Sequence, residues 1–323
     1  MSNKFTANLF SGFGLLDKFN ISTKIVTLIA IPTIASLFSM AIIVSTKMND
    51  LEVTTRVNSL VEYVVNTSSL LHELQKERGT SAVFTGSRGS QMQGELEIQK
   101  RATDLALTNF NEFQAGFNPD EYGQELKNNL TLVKQYLLEL DSKRTAVIAL
   151  TISKPDIVKY YTNINSLLVN SFQNAGLLAK HKDLLTPVSS IVNLIGAKEL
   201  AGIERAQMST ICATNRPIDI PTFEKWMTVW KGQTTLLNNF EYQADKSVRE
   251  FYNQRMSGSV NSNVVDIRNT LMAKSQTGRF GHTGGETFSI TTKRIDLLKT
   301  VEDFQTKYIL ELSNTILSNA KSS

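Results

Sequence analysis

An all-helical fold behind a single membrane-spanning helix is what this sequence predicts, on three observations. Residues 25–46 carry no charge. Glycine (17) and proline (6) make up about 5% and 2% of the 323 residues, against a usual ~7% and ~5%. Past the apolar run, hydrophobic residues recur at three- and four-residue steps between seven clusters of turn-forming residues. So few breakers leave no room for a loop-rich or all-β chain.

Each element follows in order. Residues 1–24 form a tail with Lys4, Lys18 and Lys24 against Asp17 alone. Residues 25–46, IVTLIAIPTIASLFSMAIIVST, are long enough for a hydrocarbon core of about 30 Å. Pro32 is tolerated in a membrane helix. A cleaved signal peptide competes with this reading, since Ser39-Met40-Ala41 loosely resembles a small-residue cleavage site. The apolar run continues through Ile42, Ile43 and Val44, against that pattern. A buried core helix is the third alternative, and the membrane anchor is the reading adopted. Lys47 and Arg56 follow the span together with Asp50, Glu52 and Glu62. Positive charge therefore favours the tail, which places it in the cytoplasm and residues 47–323 outside. The final stretch from Val301 is too charged to be a second span.

Val57, Leu60, Val61, Val64, Leu71 and Leu74 form one helical stripe. No proline lies between Pro32 and Pro119, so one helix is expected from the membrane to about Thr85. Its part after residue 46 would rise roughly 60 Å. Breaks are expected at 86–89, 116–123, 153–155, 182–187, 215–221, 257–258 and 278–285. Helix-start chemistry accompanies them in Asn118, Ser153, Thr186 and Asp219, each beside or just ahead of a proline. Seven breaks give eight helices, most of them about 25–40 residues long. Short connections between long helices imply two up-down four-helix bundles. The one strand-like stretch, Phe288 to Thr292, is too short to change this. A faint repeat at an offset of 127 residues supports two related halves, placing Glu77-Arg78-Gly79 on Glu204-Arg205-Ala206.

Chemistry is mostly excluded. The net charge of +4 is spread along the chain without a basic cluster, so no nucleic-acid partner is implied. A single cysteine, Cys212, rules out an internal disulfide framework and a multi-cysteine metal site. His72, His181 and His282 are scattered and form no zinc motif, so neither a metal nor a cofactor is expected. The glycine-rich stretch 278–285 lacks the Gly-Lys-Ser/Thr ending of a phosphate loop and reads as an inter-helix connection. Trp226 and Trp230, one turn apart, read as core packing. No acid–base or nucleophile set is visible, so the chain is not expected to be an enzyme.

Arg78 and Arg205 stand apart. Leu71, Leu74, Arg78 and Ala82 share one helical stripe, and Leu194, Ala201, Arg205, Met208 and Cys212 share another. Both arginines therefore point along faces that enter the core. A guanidinium is always charged and costly to bury unpaired. Its partner is either an internal carboxylate (Glu77, Glu95, Glu199 or Glu204) or a small planar oxyanion from solvent, which the forked donors suit. Lys76 and Glu77 lie off the arginine face, which disfavours pairing within the same helix.

The span followed by Leu74-Gln75-Lys76-Glu77-Arg78-Gly79-Thr80-Ser81, and later by Lys198-Glu199-Leu200-Ala201-Gly202-Ile203-Glu204-Arg205-Ala206, resembles the nitrate- and nitrite-sensing (NIT) family over about residues 47–320. The resemblance implies an all-helical input module of a bacterial inner-membrane receptor, with two bundles side by side. It implies nitrate or nitrite held by Arg78 and Arg205, with Ser81 and Glu204 of the same motifs as secondary candidates. It also implies a periplasmic domain, a homodimer, and an output module or partner that these 323 residues do not contain. Ile203 stands where the family often has glutamine. The competing expectation is a helical envelope protein that docks a protein partner, its arginines salt-bridged.

Overall fold

Helices supply every regular element among the described residues, 20–178 and 183–322 of this computed structural model. The helices are α1 (Ile21–Gly86), α2 (Gln93–Gly116), α3 (Gln124–Leu138), α4 (Leu140–Ile148), α5 (Lys154–Leu178), α6 (Leu185–Thr214), α7 (Ile220–Gln243), α8 (Lys246–Met256), α9 (Ser259–Ala273) and α10 (Gly284–Ser322), with a 3-10 turn at Pro119–Tyr122. The tail residues Lys4, Asp17 and Lys18, on which the expected orientation rests, lie outside the described residues, as does His181.

Among the described residues, ten helices replace the eight expected. Two of the long segments are divided, and most helices are shorter than anticipated. Between α3 and α4 the break is one residue, Glu139 (φ −87°, ψ −8°), whose N–H turns back to the Tyr136 carbonyl. No glycine or proline marks it. Between α7 and α8, Ala244 is extended and the Asp245 carboxylate accepts from the Ser247 N–H at 2.9 Å. The strand-like stretch Phe288–Thr292 lies inside α10. That helix opens with a reciprocal cap: the Glu286 N–H donates to Thr283 Oγ1, and the Thr283 N–H to the Glu286 carboxylate. The expected caps at Asn118, Ser153 and Asp219 are present, each side chain accepting a backbone N–H two or three residues on.

The chain divides into two units. One comprises residues up to Val53 with Asn319–Ser323. Its apolar side chains from Ile25 to Met48 are exposed. An 18-residue window there has mean hydropathy 2.2 with none of it buried, so α1 is long and apolar enough to cross a membrane by length and composition.

The other unit, Thr54–Ser318, holds the core. Its apolar residues form three clusters, and α6 contributes to all of them: Val188, Ile191 and Ile195 to the first, Leu194, Ala197 and Ala201 to the second, Met208, Ile211 and Cys212 to the third. The first cluster is otherwise built from α1 to α5, with Phe117, Tyr122 and Leu184 of the connections and Ile309 of α10. The other two are otherwise built from α7 to α10 with Ala244 and Phe280 of the connections. Trp226 is fully buried and stacks on Trp230 at 5.7 Å, as core packing requires. Gly284 makes the start of α10 possible, because a Cβ there would sit 2.7 Å from both Ala213 Cβ and the Ser209 carbonyl oxygen of α6.

Candidate functional site

The stripe that buries α1 carries Leu70, Leu71 and Leu74 into the core and, one turn later, Arg78, which is only 4% exposed. Its guanidinium meets Glu199 of α6 in a two-pronged pair, Nη1 to Oε1 at 2.6 Å and Nη2 to Oε2 at 3.3 Å. Nη1 also donates to Thr162 Oγ1 at 3.1 Å. Glu199 further accepts from Gln75 Nε2 at 2.8 Å and Asn165 Nδ2 at 3.5 Å, both on Oε2. Of the four carboxylates the sequence offered as partners, the fold selects the one 121 residues away. Five N–H donors less these three leave Arg78 with Nε–H and one Nη2–H.

Arg205 lies on the matching stripe of α6 among Ala201, Met208 and Cys212, and is 6% exposed. It donates to Thr292 Oγ1 at 3.0 Å and rests 4.5 Å over the Phe288 ring. Among the described residues it makes no ion pair. Burial, and next the Arg78 charge, push it down to about 10, while Asp296 and Glu199 act the other way. It is still protonated at neutral pH. Arg294 is likewise buried without an ion pair among the described residues, but amide oxygens of Gln233 and Asn261 accept from it. Arg205 has one hydroxyl and a ring, and it faces a cleft.

The two arginines interlock. A Cβ on Gly79, next to Arg78, would lie 2.8 Å from Arg205 Nη2, and a Cβ on Gly202 would lie 2.7 Å from Arg78 Nη2. Each guanidinium thus packs against a glycine of the helix that carries the other. Both line one cleft of about 1550 Å³. Lys154, Lys159, Lys225 and Lys293 line it too, whereas no aspartate or glutamate does. Ser209 Oγ and Gln207 Oε1, buried and without hydrogen-bond partners, belong to the same wall. Six cations and no acid make a surface that attracts anions.

Glu204 and Ser81, the secondary candidates, do not line the cleft. Glu204 is closed by Arg268 in a two-pronged pair at 2.7 and 2.6 Å, with Gln233 on the same carboxylate. Glu77 is closed the same way by Arg144 at 2.7 and 3.0 Å and accepts from Tyr161. Burial, then the Glu77 charge, raise the Tyr161 pKa well above its usual value. The partners lie 67 and 64 residues downstream of their glutamates, so the faint sequence repeat corresponds to a repeated strut. In each Glu-Arg pair the glutamate is taken by an arginine from another helix and not by its sequence neighbour.

His72, on the same helix as Arg78, has its Nδ1 buried and unpartnered. Burial, then the charges of Lys198, Lys299, Lys76 and Arg205, lower its pKa far below the usual value, so it is neutral when folded. The unfolded imidazole takes up a proton below about pH 6.5 and the folded one does not. This contribution to stability is therefore whole above that pH and is lost as pH falls, with a slope approaching about 1.4 kcal/mol per unit. Melting between pH 7.5 and 5.5 should show the decline, and His72→Gln should flatten it. Equal slopes in parent and variant would refute the assignment.

The sequence motifs pointed to the two arginines but not to Thr162, Thr292 or Phe288, which hold the guanidiniums. Only the glycines carried a readable signal, one following Arg78 and one three residues before Arg205.

Fold and cleft together define an all-helical domain with a cation-lined interior site. The chain belongs to the nitrate and nitrite sensing (NIT) family, whose sequence profile matches residues 69–309. The solved structure of the NasR transcription antiterminator is similar in fold, with a TM-score of 0.74 over 89% of this chain and 76% of that one, at 20% identity. No curated protein sequence matches the chain significantly.

Proposed function

We propose that this chain is the sensor part of a bacterial inner-membrane receptor that binds nitrate or nitrite between Arg78 and Arg205. The observation that carries this reading is Arg205, buried, protonated and without a carboxylate, facing a cleft with no acid in its wall. An anion lying against Arg205 and the two free donors of Arg78 would supply the missing charge in forked, charge-assisted hydrogen bonds. Residues 25–46 form the anchor, the tail 1–24 is cytoplasmic, and 47–323 form a periplasmic domain of two up-down bundles sharing the α6 region. The domain acts as a homodimer and relays helix displacement to an output module or partner. Binding can do this only because the anion fits one arrangement of the helices better than another. No catalytic step and no cofactor enter this reading.

The Arg78–Glu199 pair favours a second reading, a helical docking protein whose arginines are purely structural. Arg205 has no place in it. The test is thermal melting of the full chain in detergent with nitrate, nitrite, chloride or sulfate at equal ionic strength. Nitrate or nitrite should raise the melting temperature in proportion to the logarithm of its concentration once the site is saturated, and chloride should not. No rise with either oxyanion up to tens of millimolar supports the docking protein instead.

A further inference from the structure

We infer that Glu199 sets the charge of the ligand, so that the cleft accepts singly charged planar oxyanions and rejects doubly charged ones. This rests on the anion-binding reading above and adds the residue that confers selectivity. Glu199 is 4% exposed, and both its oxygens are filled, Oε1 by Arg78 and Oε2 by Arg78, Gln75 and Asn165. A carboxylate held by that many donors is fixed in place. It therefore cancels the Arg78 charge permanently and does not swing aside when a ligand arrives.

The remaining charges can be counted. Glu77 and Glu204 are each closed by their own arginine, Arg144 and Arg268. Lys198 is paired with Glu302 at 2.6 Å. Asp296, the other acid that acts on Arg205, is solvent-exposed and makes no ion pair with it among the described residues. The four lysines of the cleft are exposed to solvent, where water screens them. Arg294 is also buried without an ion pair among the described residues, but it donates to Gln233 and Asn261 and does not line the cleft. Among the described residues, the one uncompensated buried charge that faces the cleft is therefore that of Arg205. A monoanion neutralises it. A dianion would leave a net negative charge out of water, beside the Glu199 carboxylate, and that is costly without a further cation. Arg78 still contributes Nε–H and one Nη2–H, so it orients the ligand by hydrogen bonding while Arg205 supplies the charge.

The experiment is calorimetric titration of the full chain in detergent with sodium nitrate and sodium sulfate at constant ionic strength. The parent should bind nitrate at least tenfold more tightly than sulfate. Glu199→Gln keeps the size and one acceptor for Arg78 but raises the site charge by one, and its nitrate-to-sulfate ratio should fall by about tenfold or more. Should Glu199→Gln fail to fold, Thr292→Asp reads the same rule in reverse. A carboxylate placed against Arg205 should weaken nitrate binding more than about tenfold while raising the anion-free melting temperature.

An unchanged ratio in Glu199→Gln, undiminished nitrate binding in Thr292→Asp, or a parent that binds sulfate as tightly as nitrate overturns the inference and leaves anion sensing intact. A parent that binds neither nitrate nor nitrite overturns the function itself.

Discussion

Alanine at Arg205 is expected to leave the anion-free protein as stable as the parent or more so, whereas alanine at Arg78 should lower its melting temperature steeply. The two residues occupy equivalent motif positions and share a cleft, yet their partners differ. Removing Arg78 strands Glu199 as a buried, uncompensated carboxylate, a change that costs about 3–5 kcal/mol. Removing Arg205 breaks no ion pair among the described residues, and Asp296, which Arg205 attracts, keeps its exposure to solvent and the Lys76 charge. The substitution deletes a buried cation that burial and Arg78 both disfavour. The losses are one hydrogen bond to Thr292 and the Phe288 contact, together about 2–4 kcal/mol. Relief of an unpaired buried charge is of similar size or larger. Both variants should lose nitrate binding by tenfold or more, since each removes charge-assisted hydrogen bonds. Differential scanning fluorimetry without and with nitrate separates the effects. Equal destabilisation by the two substitutions in nitrate-free buffer would mean that Arg205 has an internal counter-charge.

Glu302→Ala should produce the other large effect. Glu302 on α10 and Lys198 on α6 are both fully buried, with Nζ and Oε2 2.6 Å apart, and Lys299 approaches the same carboxylate at 3.4 Å. The Lys198–Glu302 contact is close but is not aligned as a hydrogen bond. Burial already lowers the Lys198 pKa, and Glu302 opposes that shift. Without Glu302 the lysine is a lone buried cation, at a cost of about 3–5 kcal/mol. A poorly aligned pair does not recover its desolvation cost, so Lys198→Met with Glu302→Leu should restore most of the loss or exceed the parent. Urea unfolding of the two single variants and the double variant forms the cycle. A double variant that loses the sum of the two single losses would show that no coupling exists.

The helical class, the membrane-length run and the inward stripe on which each arginine lies were all legible from the chain itself. They are consequences of periodicity and punctuation, which act over a few neighbouring residues. Val57, Leu60, Val61, Leu71 and Leu74 are buried as their spacing requires. The breaks at Asn118, Ser153 and Asp219 fall where their capping oxygens place them. The break at Glu139 has no such mark, since neither a glycine, a proline nor a capping side chain stands there. What pairs with what was decided by the tertiary structure alone. Four glutamates were chemically acceptable partners for Arg78, and only the packing of α1 against α6 makes Glu199 the one within reach. The same packing sends Glu77 to Arg144 and Glu204 to Arg268, and leaves Arg205 with Thr292 and a ring. Charge pairing acts through space between residues 64 to 121 positions apart in the chain, so a local pattern shows that an arginine is buried but not what neutralises it.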